Sequence, residues 1–138
     1  MSTSPMAISL TGMDVEWRRL EVISQNLANL NTTRTGLGEA YRPMRLVSGP
    51  RSSFEGLASD EASGVMVYGL EPLDTPARRV HQPEHPHSDS EGFVSYPGLD
   101  YSAEMVLLVQ TQRAFEANVL ALSAARQMYA KALEIGRR

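Results

Sequence analysis

At 138 residues, 42% of them hydrophobic and 21% charged, the chain has the length and composition of one ordinary folded domain, neither wholly disordered nor membrane-embedded. A formal net charge of −3, with doubled basic pairs only at Arg18-Arg19, Arg78-Arg79 and Arg137-Arg138, offers no basic patch for nucleic acid. The absence of cysteine excludes disulfides and thiolate-held metals, and the longest clean apolar run, Met105 to Val109, is far too short to cross a bilayer.

The opening segment, Met1 to Trp17, lacks the basic start and unbroken apolar stretch of a cleaved secretory signal. The expectation is a protein that stays in the cytoplasm or leaves by a route without a cleaved signal. Of eight prolines, Pro5 alone lies in the first 40 residues and none follows Pro97, while seven of ten glycines fall between Gly36 and Gly92. The chain therefore divides into a periodic start (1–36), a punctuated middle (37–100) and a periodic end (101–138).

A first helix is expected from Ser4-Pro5, a capping serine with proline at the first helical position. Met6, Leu10, Met13, Trp17, Leu20, Ile23, Leu27 and Leu30 then follow in steps of 4, 3, 4, 3, 3, 4, 3, the seam of a coiled coil with one irregularity. Asp14 and Arg18 sit one turn apart and pair weakly. The helix is expected to end in the cap- and turn-forming residues Asn29 to Thr33, with Gly36 beyond, as a rod of about 40 Å.

In the middle, 41–47, 65–70 and 93–96 read as short strands or extended arms, each bounded by Gly or Pro, and 48–56 reads as a loop. A small β-hairpin or lobe is the structure expected there. His81, His85 and His87 invite a zinc reading with Glu84 or Asp89, but two prolines interrupt the run, and a surface turn is the better reading. No metal or cofactor is expected.

The last helix is expected from about Ser102, with Glu104 in its first turn, to Ile135, with Gly136 as terminator. One stripe runs Met105, Leu108, Gln112, Phe115, Val119, Leu122, Arg126, Tyr129 and Leu133. A second, of mainly small residues, runs Leu107, Ala114, Ala117, Ala121, Ala124, Met128, Ala132 and Ile135. Trp17 and Phe115 read as core residues. Glu104 and Glu116, 12 residues apart, are too distant for acid–base work, so no catalytic residue is expected. Glu116 beside Asn118 reads equally as an inter-subunit hydrogen-bonding pair or a solvated face.

The fold class expected is mainly α: two long terminal helices pairing as an antiparallel coiled-coil hairpin, with a small irregular or β middle. The alanine-rich stripe has no third helix within the chain to meet, which favours self-assembly or a helical partner. A cytoplasmic helical-hairpin adaptor or export chaperone is the alternative that periodicity allows, and a small metal-dependent enzyme using the histidines is a second.

Two segments go beyond periodicity. Ser24-Gln-Asn-Leu-Ala-Asn-Leu-Asn-Thr-Thr-Arg-Thr-Gly, with a late Tyr41-Arg42-Pro43, resembles the N-terminal signature of flagellar rod and hook axial proteins. Gly92-Phe-Val-Ser-Tyr-Pro-Gly-Leu-Asp-Tyr, Glu104-Met-Val and Gln112-Arg-Ala-Phe-Glu-Ala-Asn-Val are similar to that family's C-terminal signature. The ending Lys131-Ala-Leu-Glu-Ile-Gly-Arg and the stretch Pro83-Glu-His-Pro-His-Ser-Asp resemble its proximal-rod members, while 48–75 resembles no named segment.

The resemblance implies a structural subunit of the bacterial flagellar rod in the periplasmic space, exported unfolded by the flagellar type III route without a cleaved signal. It implies terminal helices lining the rod's channel, and contacts with copies of itself, other rod proteins, the export apparatus and the membrane ring. Helix and subunit contacts are then expected from Met6, Leu10, Met13, Trp17, Leu20, Ile23, Leu27, Asn29 and Asn31 in the first helical region. From the last helix they are expected from Met105, Leu108, Phe115, Glu116, Asn118, Val119, Leu122, Tyr129 and Leu133.

Overall fold

The computed structural model describes residues 5–34, 38–51 and 64–137. Helix α1 spans Pro5–Ala28, so Pro5 does open it; the capping Ser4 and the terminating Gly36 lie outside the described residues. Its end is closed locally. The Asn29 amide group donates from Nδ2 to the Gln25 carbonyl at 2.9 Å, and the Thr32 N–H bonds the Asn29 carbonyl at 3.0 Å.

Strands β1 (Met44–Pro50) and β2 (Val65–Pro72) form an antiparallel hairpin with a bulge between Val47 and Ser48. Ser48, Gly49 and Pro50 thus belong to a strand rather than to the loop expected from their composition, and 52–56 lies outside the described residues. Cross-strand pairing supplies the backbone bonds that composition alone did not signal. One face of the hairpin, Leu46 with Met44, Val65 and Val67, packs on Val15 and Val22 of α1. The Thr11 hydroxyl pins the start of β2 by accepting from the Val65 N–H at 3.1 Å.

A strand not expected from the sequence, β3 (Arg78–His81), pairs antiparallel with β4 (Phe93–Tyr96). Its Arg-Arg start carries no apolar alternation. The pair is held instead by Val94, which is 0% exposed, by Arg79 over the Phe93 ring at 4.8 Å and by Arg78 over Tyr96 at 5.3 Å. Gly98 then passes close against the Pro76 carbonyl, where a side chain would collide.

Helix α2 spans Tyr101–Gly136, with Asp100 as N-cap accepting from the Ser102 N–H at 2.8 Å. At 1.5 Å per residue, the 24 residues of α1 reach about 36 Å and the 36 of α2 about 54 Å. The architecture is therefore mainly α, with two small antiparallel sheets between the helices in sequence. Among the described residues no helix is long and apolar enough to cross a membrane.

Candidate subunit-assembly interface

The two helices touch at points that advance along α1 while receding along α2. Gly12 lies against the Asn118 side chain, the Trp17 and Phe115 rings are 6.2 Å apart, and Asn26 meets Glu104. Gly12 suits a close approach: a Cβ there would stand 2.7 Å from Asn118 Oδ1.

The contact residues expected from sequence occupy graded positions along these helices. On α1, Ile23 is buried, Met6, Met13, Leu20 and Leu27 are half-buried, and Leu10 and Trp17 are exposed. Trp17 is thus not a core residue of the single chain; 56% of it is accessible, because the strongly buried face of α1 is the Val15–Val22 stripe turned to the hairpin. Asn29 is half-buried and Asn31 exposed. On α2, Leu122 is buried, Met105, Leu108 and Phe115 are half-buried, and Val119, Tyr129 and Leu133 are exposed.

Glu116 and Asn118 do not meet, since neighbours two apart on a helix diverge. Asn118 faces α1 and bonds the Ala114 carbonyl at 3.0 Å, while Glu116 is exposed and accepts from Gln112 at 3.4 Å. Asp14 and Arg18 do pair, at 3.2 Å on the surface. Arg19 bridges elements: it bonds Glu16 at 2.9 Å and the Ser48 hydroxyl of β1 at 2.9 Å.

Pattern reading missed a polar cluster at the base of the helix pair. Asn26, 1% exposed, donates to the Met44 carbonyl at 2.9 Å and accepts from the Met44 N–H and the Tyr41 hydroxyl, each at 3.1 Å. Beside it Glu104 is 6% exposed, and its Oε2 has no hydrogen-bond partner. Burial pushes the Glu104 carboxyl above the usual glutamate range, against the opposing pull of its Asn26 hydrogen bond. Burial, and then the Glu104 charge, raise the Tyr41 phenol. The signal available in sequence was phase: Asn26 falls one turn after Val22 on the buried stripe.

The histidines serve the loop. His81 stands edge-on to Phe93 at 5.0 Å, and His87 Nδ1 shares a 2.8 Å hydrogen bond with the Thr33 hydroxyl, tying the end of the Asn-rich turn to the middle segment. Among the described residues no three His, Asp or Glu side chains converge as metal ligands would.

The outer side of α2 is largely apolar, interrupted by charges such as Arg113 and Lys131. Leu107, Ala117, Leu120, Ala121, Ala124, Met128, Ala132 and Ile135 are all exposed, Leu120 by 70% and Ile135 by 76%. So long an exposed apolar face exceeds what a single soluble chain ordinarily presents to water.

Residues 6–34 match the family of flagella basal body rod proteins, and residues 90–135 match the C-terminal family of the flagellar basal body rod FlgEFG proteins. The flagellar basal-body rod protein FlgC of Borreliella burgdorferi is 32% identical over 96% of this chain and 95% of its own length. That of Bacillus subtilis is 34% identical over 94% and 95%, and that of Salmonella typhimurium 27% identical over 94% and 93%. The chain belongs to the FlgC-type flagellar basal-body rod proteins. As an FlgC-type protein it is a structural subunit of the flagellar basal body and not an enzyme. The two family matches fall on α1 with its Asn-rich turn and on β4 with α2, the parts that carry the helix contacts.

Proposed function

We propose that this subunit enters the rod through α1 and α2 paired as an antiparallel coiled-coil hairpin. The inner sides of the hairpin meet each other and its outer side meets copies of the chain and other rod proteins. The inner contacts are assigned to Met6, Met13, Leu20, Ile23, Leu27, Met105, Leu108, Phe115, Asn118 and Leu122. Leu10, Trp17, Asn29, Asn31, Glu116, Val119, Tyr129 and Leu133 are assigned to contacts between subunits. In this reading the chain is exported without a cleaved signal, takes its place in the periplasmic part of the rod and borders the export apparatus and membrane ring.

The observation that supports it best is the apolar outer face of α2, which no other element of the chain covers among the described residues. The test is to place a carboxylate in the seam. Leu20→Asp and Phe115→Asp each bury an unpaired charge in the assembled hairpin, at a cost of several kcal/mol per ion. Both variants are expected to be expressed and exported, as a secretion assay reads, but to abolish rod completion and swimming. Glu84→Gln, an exposed change in the histidine loop, is expected to swim as the parent does. Normal rods in both seam variants would refute the paired-helix polymer.

A further inference from the structure

We propose that Arg113 of one copy enters the groove between α1, α2 and β1 of a second copy and there pairs with Glu104. The groove encloses about 600 Å³, and its wall includes Val22, Ile23, Leu46, Leu107, Thr111 and Glu104. Glu104 is almost wholly buried, yet Oε2 meets no donor.

The chain cannot readily supply that donor itself. Asn26, which bonds Met44 and Tyr41, also reaches Glu104, yet Oε2 is still left without a donor. The two cations on the groove wall are engaged elsewhere, Arg19 with Glu16 and Ser48, and Arg45 with Glu71 at 4.0 Å. A buried acceptor without a partner costs about 1–3 kcal/mol, and more when charged, so an incoming cation has a strong reason to dock.

The occupant is read from the outer face of α2. Val106, Val109, Arg113, Ala117 and Leu120 form an exposed row at helical spacing, apolar except for Arg113. Arg113 makes no ion pair or hydrogen bond among the described residues. An apolar row carrying one free guanidinium meets a groove of mixed lining in which Glu16, Arg19 and Arg45 are already paired and the Glu104 carboxyl alone among the charged groups has an oxygen without a partner. Because row and groove are different surfaces of the same chain, the contact is head-to-tail and propagates from copy to copy.

The inference rests on the rod-subunit reading, and its test separates the two. Glu104→Gln keeps the shape of the side chain and removes its charge; Arg113→Gln alters an exposed residue and leaves the fold intact. Each is expected to lower rod completion and swimming at least tenfold, with secretion and the urea midpoint of the isolated Arg113→Gln chain unchanged. Arg113→Lys is expected to restore part of the loss. The double variant is expected to be no worse than either single one, the mark of residues that act as a pair. The chain has no cysteine, so Leu107→Cys in one tagged copy and Ala117→Cys in another are expected to cross-link in oxidised basal bodies. Wild-type assembly of the Arg113→Gln cells, losses that multiply in the double variant, or no cross-link between copies would each overturn the pairing. If the Leu20→Asp seam variant fails to build rods while Arg113→Gln swims normally, this contact alone falls and the rod-subunit reading stands.

Discussion

The side chains with most at stake are polar ones in apolar places. Glu104 is protonated more readily in the folded chain than in the unfolded one, where its reference value is 4.5, because burial penalises the charged form. Its contribution to stability is therefore complete below that reference value and is lost as pH rises through the raised folded value. The isolated subunit is expected to gain from this group as pH falls from neutral toward 4.5. Asp89 works the other way: the Phe93 N–H above all, then Arg79 and Glu91, hold its carboxyl below the ordinary 3.8. The measurement is consequently a difference. Urea midpoints followed by the single tryptophan, Trp17, are expected to converge or cross between wild type and Glu104→Gln on acidification, the parent gaining relative to the variant. A constant gap between the two across pH 7 to 4.5 would contradict the account of Glu104.

At the level of elements, one glycine within a hairpin and one just beyond a hairpin sit in opposite surroundings. Gly98 passes the Pro76 carbonyl with no room for a methyl group, whereas Gly69 in β2 has nothing within 4 Å of where its Cβ would be. Gly98→Ala is expected to cost about 1–3 kcal/mol by overpacking. Gly69→Ala is expected to be neutral or stabilising by up to about 1 kcal/mol, through the unfolded state. Comparing their urea midpoints checks both; equal midpoints would show that the Gly98 approach is not a constraint. The strand β3 was not legible because four residues starting Arg-Arg carry no hydrophobic alternation; its partner β4, with Phe93, Val94 and Tyr96, was.

For the whole molecule, the helix lengths do not match. With Gly12 on Asn118 and Asn26 on Glu104, the described part of α1 runs out near Ala125 of α2, and every described residue from Arg126 onward is exposed. In the isolated subunit, amides of 126–136 are expected to exchange fast while those of 104–122 exchange slowly, and assembly is expected to protect both. Hydrogen exchange on a proven monomer decides it, and equal protection along α2 would contradict the unequal pairing.

Both terminal helices were legible in the residues themselves, because 3-and-4 apolar spacing, Pro5 and the Asn-rich end are local signals that need no distant partner. So were three of the four strands, in outline, and both family signatures. Which face of each helix is buried was decided by tertiary structure alone. A hairpin more than 20 residues away in sequence covers Val15 and Val22, leaving Leu10 and Trp17 open, and no periodicity within α1 specifies which of two apolar faces the hairpin will take. The Asn26–Tyr41–Glu104 cluster belongs to the same class: its three members lie on different segments, and their burial and mutual charge exist because the chain folds them together.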